Sequence, residues 1–497
     1  MKTPVVTSKQ VVGSRNKWLA LAVLLIGAFM ALLDTTIVNV AIPTIRSSIG
    51  ASNATLSWIV SGYALAFGLA LIPAGRVGDR LGHKWVFIAG LSLFTIASLA
   101  CGLAQDDGQL IAARAVQGLA GGMFFTTITA LIQLMFADRE RGRAFAILGA
   151  TIGFSTALGP LVGGLIIQAF GAETGWRLVF GVNIPIGIVA VGAAAVFLPS
   201  GAESTDSAAD WLGLALLTAG LVALLTPLIE GQQEGWPSWT YVSMVGGAVL
   251  IALFALWERR LEKLEGNPLV PPRLFAHSSF TGGVLLALVY FAAFTSIFFT
   301  IALLWQAGLG HSALQSGLVA MPFAVGSIIG AARSDVLAAR FGRSVLICGL
   351  GLVAAGITAV WLMLAHTAPT AYSGWELLAP LLIAGIGSGL FIAPNSDFIV
   401  ATVERRDAGA ASGVIGTMQR IGSAVGIAVI GTVLFGTLHV VPGPDAVAVA
   451  FAHSATMAMG VSAALSVVAF GLAFALPQRG IPGLKRVEQL AEVESSE

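Results

Sequence analysis

The sequence predicts an all-α membrane protein in which 14 transmembrane helices form two six-helix bundles, with two additional helices between the bundles. Three observations carry this prediction. Fourteen apolar stretches follow one another along the chain, each near the length of about 20 residues that an α-helix needs to cross a bilayer. Lys and Arg fall almost entirely in every second gap between these stretches. Finally, the first six and the last six stretches share short sequence patterns.

Each predicted span is an apolar run that ends at charged residues, Pro or a short polar loop. Helices are expected because the backbone of an isolated segment in lipid must satisfy its own hydrogen bonds. The first run follows a basic tail, as in a signal peptide, but it leads directly into further spans and is therefore expected to be retained. The predicted spans are 18–39, 55–74, 86–104, 108–131, 143–168, 178–198, 211–229, 241–257, 280–305, 314–332, 344–364, 377–400, 408–437 and 452–476.

The positions of the basic residues test the number of spans and predict their orientation. Of the 26 Lys and Arg residues, 22 fall in the two tails and in alternate gaps. Only Arg46 and Arg177 fall on the other side, and Arg114 and Arg420 lie inside spans. Cytoplasmic loops carry the excess of Lys and Arg. Both termini are therefore predicted to be cytoplasmic, which requires an even number of spans.

Composition excludes several classes of protein. The chain is 57% hydrophobic and only 10% charged, whereas soluble domains carry about 25% charged residues. A net charge of +1 gives no global field for nucleic acid. Cys101 and Cys348 both lie in predicted spans and are expected to be small buried residues rather than metal ligands. The His residues form no ligand or catalytic pattern, so neither a metal site nor an enzyme is expected.

The predicted organisation has six parts. Gly78–Lys84 and Ser334–Arg343 are similar short turns, eight spans apart, which indicates two related halves with two extra helices between them. The parts are a cytoplasmic tail at 1–17, a six-helix bundle at 18–198, two further helices at 199–257, a cytoplasmic loop at 258–279, a second six-helix bundle at 280–476 and a cytoplasmic tail at 477–497.

Two charged residues within spans are the first candidates for function. Asp34 lies well inside the first span, and an ionisable group at membrane depth is costly and usually functional. It is a candidate proton or substrate-cation site; the alternative is a polar pore-lining residue held by Thr35, Thr36 and Asn39. Arg114, with Gln117 on the same helix face, needs a carboxylate, carbonyl or water partner. The alternative for Arg114 is a structural ion pair or an interfacial position.

Four motifs lie at successive positions along the first half. They are Leu33-Asp34-Thr35-Thr36 through Pro43, Gly75-Arg76-Val77-Gly78-Asp79-Arg80-Leu81-Gly82-His83-Lys84, Arg114-Ala115-Val116-Gln117-Gly118, and Gly159-Pro160-Leu161-Val162-Gly163-Gly164. Together they resemble the major facilitator superfamily, and more narrowly its 14-helix drug:proton antiporter branch. His83 replaces the usual Arg of the loop motif, and Ser155 replaces an upstream Gly of the last motif.

The resemblance implies roles for these residues. The Arg114 motif is linked to proton coupling in the family. The loop motif implies a latch that holds one conformation. The similar turn eight spans later extends this prediction to the second half of the chain. Gly159, Pro160, Gly163 and Gly164 imply a bend and a tight helix seam that favour exchange over symport. The predicted latch residues are Gly75, Asp79, Arg80, Gly82, Asp335 and Arg340.

Other polar and aromatic residues are weaker candidates. Asp397 and Arg420 are added to the proton- and substrate-coupling set, although each has a structural or interfacial alternative. Aromatic and polar residues on the inner spans are predicted to line a cavity, although Trp and Tyr are also enriched at membrane interfaces. These cavity candidates are Asn39, Trp58, Tyr63, Phe291 and Phe294.

The sequence therefore predicts a monomeric exporter of amphipathic small molecules in the inner cell membrane, driven by the proton gradient and without a cofactor. An acid in the cavity suggests cationic substrates. The scarcity of intramembrane acids suggests instead neutral, zwitterionic or weakly acidic compounds. Export of one self-made antibiotic or metabolite stays open beside broad drug efflux. Proton-coupled uptake and a non-transporting membrane protein are the remaining alternatives.

Overall fold

The fold was analysed in a computed structural model, which describes residues 14–50, 53–200, 210–231, 234–264, 266–369, 372–400, 403–404, 407–443 and 445–476. The described chain is helical and contains no strand. The helices are α1 Ser14–Ile49, α2 Asn53–Leu81, α3 His83–Leu103, α4 Asp107–Met135, α5 Asp138–Gly181, α6 Asn183–Phe197, α7 Trp211–Glu230, α8 Ser238–Lys263, α9 Ser278–Leu303, α10 Ala313–Phe341, α11 Ser344–His366, α12 Leu378–Val400, α13 Ala408–Gly436 and α14 Ala446–Ala473.

Most of these helices are long and apolar enough to span a bilayer. Thirteen described segments meet this criterion, and the predicted fifth span falls within α5, where the described apolar stretch is Leu161–Gly171. Gly171, with φ of 78°, bends α5, so that the segment after it runs into α6. The prediction of an all-α membrane protein is confirmed. Of the predicted tails at 1–17 and 477–497, residues 1–13 and 477–497 lie outside the described residues, and residues 14–17 begin α1.

Side-chain caps mark the starts of three described helices. Asp106 and Asp210 accept backbone N–H groups at the starts of α4 and α7, and Ser312 with Gln315 forms a reciprocal cap on α10. α8 continues to Lys263, six residues beyond the predicted span, and a short 3-10 helix at Pro272–Ala276 follows in the predicted loop.

The packing forms two groups of helices. In the first group, α1 packs on α5, α2 on α4, and α3 on α4 and α6; in the second, α9 packs on α13, α10 on α12, and α11 on α12 and α14. The groups touch through α2 with α13 and α5 with α10, while α7 and α8 pack together beside α2 and α13. Glycines permit close approach: a Cβ at Gly387 would lie 2.7 Å from the backbone nitrogen of Val353.

One end of the bundle, called the basic face below, holds the starts of α1 and α5 and the ends of α2 and α12. Lys17 Nζ lies 2.6 Å from Glu140 there. Near this face, a single apolar core joins both helix groups, with Phe145 of one and Val414 of the other. Towards the opposite face, the cores are separate, with Trp176 in the first group and Leu434 in the second. The two groups therefore meet along the basic face.

Cys348 differs from its prediction. Cys101 is buried, but Cys348 is exposed on the outside of α11. The prediction of a buried residue is wrong for Cys348. A membrane-spanning helix is apolar on the side that faces lipid as well as on the side that faces protein. Hydrophobicity alone therefore does not tell which side of such a helix faces protein.

Candidate functional site

Asp34 lies in the middle of α1 and is fully buried. Three side chains donate hydrogen bonds to its carboxylate: Arg114 Nη1 at 2.5 Å, Gln117 Nε2 at 2.9 Å and Asn183 Nδ2 at 2.8 Å. All three groups are donors, so each matches an ionised carboxylate. A buried charge is tolerated when it is paired and its oxygens are hydrogen-bonded, and Asp34 meets both conditions.

Arg114 is held on several sides. Its Nε donates to the carbonyl oxygen of Ile59 at 3.1 Å, and its Nη1 also donates to Gln117 Oε1 at 2.7 Å. The guanidinium carbon lies 4.0 Å from the centroid of the Tyr63 ring and 5.7 Å from that of Phe180. A guanidinium on an aromatic face gains a cation–π contribution that grows when the pair is desolvated. Arg114 is therefore fixed in position as well as neutralised.

The ring of hydrogen bonds joins five helices. Ser98 of α3 accepts from Gln117 Nε2 at 2.6 Å and from Asn183 Nδ2 at 3.2 Å. Asp34 comes from α1, the Ile59 carbonyl from α2, Arg114 and Gln117 from α4, and Asn183 from α6. A proton on Asp34 would remove the charge that Arg114 balances. The charge of Asp34 is therefore tied to the packing of five helices.

The alternative in which neighbouring hydroxyls hold Asp34 finds no support in its described neighbours. Thr35 Oγ1 donates to the backbone carbonyl of Ala31 at 2.9 Å, and Thr36 Oγ1 donates to that of Leu33 at 3.2 Å. Both hydroxyls thus bond to their own helix. The Asn39 side chain lies outside the described residues.

Asp79 lies at the end of α2 and binds the start of α13. Its Oδ1 accepts the backbone N–H of Gly409 at 3.0 Å, and His83 Nε2 lies 3.2 Å from the same oxygen. Arg76 Nη1 lies 3.6 Å from Asp79 Oδ2. A carboxylate at a helix N-terminus meets free N–H groups and the positive end of the helix dipole. This contact joins the two helix groups at the basic face.

Glycine makes that contact possible. A Cβ on Gly75 would lie 2.7 Å from the carbonyl carbon of Gly409, closer than real Cβ atoms come. Gly82, with φ of 90°, forms the turn from α2 into α3. Arg80, also predicted in the latch, is half-buried and makes no ion pair with the residues that the structure describes.

A second contact between the groups lies on α5. Arg141 Nε is 2.6 Å from Asp397 Oδ1 of α12, with both side chains largely buried. Asp335 of α10 packs against Gly142. A Cβ added to Gly142 would lie 3.5 Å from the Cβ of Asp335. Arg340 is exposed, with its guanidinium carbon 5.2 Å from the Phe341 ring centroid. The structure thus brings Asp335, but not Arg340, to the contact between the groups.

The Gly159 motif forms the seam between α5 and α1. A Cβ on Gly159 would lie 2.8 Å from Thr36 Cβ, and one on Gly163 would lie 3.1 Å from the carbonyl oxygen of Ile37. Gly164 is half-buried, and the side chain of Pro160 lies outside the described residues. Thr36 and Ile37 follow Asp34 within one helical turn. The seam therefore begins beside the proton-site candidate.

Residues 24–427 match the family model described as Major Facilitator Superfamily. The chain belongs to the Major Facilitator Superfamily. The resemblance read from the four motifs is therefore confirmed.

One relative of this facilitator is named as a transporter and another as a multidrug resistance protein. The chain is 38% identical over 424 residues to a probable actinorhodin transporter of Streptomyces coelicolor, covering 85% of this chain and 73% of the relative. It is 32% identical over 425 residues to the multidrug resistance protein Stp of Mycobacterium tuberculosis, covering 85% and 76%. The solved structure of the proton:xylose symporter XylE has a TM-score of 0.67 at 14% identity, covering 94% and 97%, and shows the shared fold.

The structure separates the coupling candidates of this facilitator into three places. Asp34, Arg114 and Gln117 form one buried site. Asp397 belongs to the contact at the basic face and does not reach Asp34. Arg420 lies on α13, where its guanidinium carbon is 4.1 Å from the Phe67 ring centroid. The five residues predicted as one set are therefore three separate features.

The aromatic candidates divide in the same way. Tyr63 is buried beneath Arg114 and belongs to the Asp34 site. Phe291 and Phe294 join an aromatic cluster around Tyr290 in the second group, where Tyr290 and Phe294 stack with centroids 5.6 Å apart. Trp58 is half-buried on α2.

Sequence reasoning missed Asn183 and Ser98 as site residues. Both are fully or almost fully buried polar side chains. The signal for Asn183 was its place just inside an apolar span, where a polar side chain needs a partner. Ser98 gives a weaker signal, because Ser often bonds to its own helix backbone within a membrane span.

Proposed function

We propose that this facilitator is a proton-coupled exporter, a drug:proton antiporter that moves amphipathic small molecules out of the cell by alternating access. The observation that carries the proposal is the buried carboxylate of Asp34 with its three donors. The names of the relatives support export of antibiotics or drugs. Under this proposal the basic face is cytoplasmic, the protein works as a monomer in the inner membrane, and the two six-helix bundles rock about a central substrate site.

The contacts suggest how a proton could move the bundles. With the basic face cytoplasmic, the observed arrangement is closed towards the cytoplasm, so Asp34 would receive its proton from outside. Protonation would weaken the ion pair between Asp34 and Arg114, and with it the packing of α1 on α4. The adjacent Thr36 would then shift against Gly159, and α5 would pass the change to the Arg141–Asp397 contact. Proton release to the cytoplasm would reset the site.

The driving force is sufficient for active export. One elementary charge that crosses 100 mV gains about 2.3 kcal/mol, and a tenfold concentration ratio costs about 1.4 kcal/mol. One proton can therefore support a concentration ratio of more than tenfold. Export of one self-made antibiotic stays a second candidate, because one relative is named for a single compound, actinorhodin.

The test uses everted membrane vesicles that contain the wild type, Asp34→Asn or Asp445→Asn. The lumen carries a pH dye and is acidified by respiration before a panel of cationic, neutral and anionic aromatic compounds is added. Asp445 is an exposed carboxylate in a left-handed conformation that Asn tolerates, which makes it the matched control. We expect compound-dependent proton release from the wild type and from Asp445→Asn, and none from Asp34→Asn. Undiminished release from folded Asp34→Asn would remove Asp34 from the mechanism.

A further inference from the structure

Arg420 is the second guanidinium inside the membrane-spanning part of this chain, and its surroundings differ from those of Arg114. It lies twelve residues into α13 and is half-buried. Its guanidinium carbon lies 4.1 Å from the centroid of the Phe67 ring. Phe67 itself is fully buried. Where α13 passes α2, a Cβ on Gly68 would lie 3.9 Å from Arg420 Cβ. The guanidinium is therefore at the junction of the two six-helix groups.

Arg420 has no anionic partner among the residues that the structure describes. The ion pairs of the described chain bind Arg114 to Asp34 and Arg141 to Asp397, and none includes Arg420. None of the described side-chain hydrogen bonds starts from its five N–H groups. An arginine at membrane depth requires an anion, carbonyls or water. Since Asp34 is already paired with Arg114, the charge of Arg420 is uncompensated among the residues that the structure describes.

The wall beside Arg420 is aromatic and amide-bearing. Phe67 lies between Tyr63 and Phe125, with ring centroids 5.9 Å and 5.6 Å away. Phe125 and Gln419, the residue before Arg420, both line a cavity between the groups. Further residues that line this cavity come from α5, α12 and α13 and include Ile152, Ile392, Ser412 and Gly416. The cavity has a volume of only about 30 Å³ and Arg420 does not line it, so a flat ring system would reach Phe125 and the guanidinium when the two helix groups move apart.

We propose that Arg420 is the recognition group for substrates that are planar aromatic anions, such as aromatic carboxylates or ionised phenols. A guanidinium can donate two parallel N–H groups to a carboxylate, and this pairing is both strong and directional. The inference rests on the proposed export function, for which it names the substrate class. It also accounts for the lack of a carboxylate beside Arg420 in the described part of the chain.

The test measures binding to purified protein without any proton gradient. Three probes share the anthracene skeleton and differ in charge: 9-anthracenecarboxylate, the neutral 9-anthracenecarboxamide and the cationic 9-(aminomethyl)anthracene. Probe fluorescence gives the Kd for each. The variants are Arg420→Gln, Arg420→Lys and Arg259→Gln, the last of which changes an exposed arginine at the end of α8.

We expect the wild type and Arg259→Gln to bind the carboxylate at least tenfold more tightly than the amide. Arg420→Gln should lose this preference, and Arg420→Lys should keep part of it, because Lys keeps the charge but not the planar pair of donors. Equal affinities for the three probes, tighter binding of the cation, or no binding of the carboxylate by folded wild type would overturn the proposal. Retained preference in Arg420→Gln would do so as well.

The outcome is independent of the test of antiport. If the carboxylate preference depends on Arg420 but vesicles show no proton release that depends on Asp34, the anion site stands and the coupling proposal fails. If proton release depends on Asp34 but is evoked only by cations, and the carboxylate does not bind, the antiporter stands and the anion site fails.

Discussion

The carboxylate of Asp79, at the end of α2, accepts the backbone N–H of Gly409 in the first turn of α13 at 3.0 Å. The two residues are 330 positions apart in the chain. The contact joins the two helix groups by a charge that meets a helix N-terminus rather than by a pair of side chains. Its strength therefore depends on the position of the whole of α13.

Asp79→Asn should weaken the contact between the two helix groups at the basic face. The variant keeps an acceptor oxygen but removes the negative charge, which is worth about 0.3–1 kcal/mol at a helix N-terminus and up to ~2 kcal/mol when partly buried. The population closed at the basic face should fall several-fold. The reporter is Ile415→Cys, beside the cavity, in a chain that lacks Cys101 and Cys348. A membrane-impermeant maleimide added at the basic face should label it faster in Asp79→Asn; an unchanged rate would contradict the latch.

Gly75→Ala should prevent closure of the same face more completely. The added Cβ would lie 2.7 Å from the carbonyl carbon of Gly409, a backbone atom that no side-chain rotation can move away. We expect transport in vesicles to fall more than tenfold while the protein still reaches the membrane. Gly436→Ala is the matched control, since no described atom lies within 4 Å of its Cβ position. Equal activity of the two variants would show that the close approach is dispensable.

The Asp34–Arg114 pair should show strong coupling in a double-mutant cycle. Arg114→Gln leaves a buried carboxylate without its charge partner, which costs about 3–5 kcal/mol in buried pairs. Asp34→Asn/Arg114→Gln removes both charges and should be more stable than Arg114→Gln alone. Thermal unfolding in detergent measures the order of the Tm values. A double variant less stable than either single variant would show that the two residues stabilise the fold independently.

The Arg141–Asp397 contact should tolerate exchange of its charges. Its 2.6 Å ion pair joins α5 to α12, with side-chain exposures of 11% and 15%. Arg141→Asp or Asp397→Arg alone places like charges together and should reduce transport at least tenfold. The double exchange should recover a substantial part, as initial rates in vesicles would show. Failure of the exchange to recover any activity, with normal amounts of folded protein, would assign the loss to other contacts of these residues.

Much of this organisation was readable from the sequence. Apolar runs and the alternation of basic residues predict the helices, because the bilayer allows few other solutions. Asp34 and Arg114 were predictable as candidates because charge at membrane depth demands a partner. Their mutual pairing was not, since they lie 80 residues apart. Asn183 and Ser98 were missed because a single polar residue in a span carries no information about which neighbour it meets.

The predicted coupling set shows the same limit. Asp397 and Arg420 have the residue types expected of a coupling site, but helix rotation and depth place them elsewhere. Asp397 lies at the contact with Arg141, and Arg420 lies above Phe67. The spacing of polar and apolar residues shows which side of a helix packs against protein only when one side is polar. These helices are apolar almost all round. Which charge meets which is decided by packing between helices that are distant in sequence.

All donors to Asp34 come from the first six helices, whereas Arg420 comes from the thirteenth. A proton and an anionic substrate would thus occupy different places, so their exchange would depend on the helix movement that links the two sites and not on competition for one carboxylate. Saturation kinetics should reflect this separation. Acidifying the outer compartment should raise the maximal rate of export while the substrate concentration at half-maximal rate stays nearly constant. In an exporter whose two ligands compete for one carboxylate, that concentration would change.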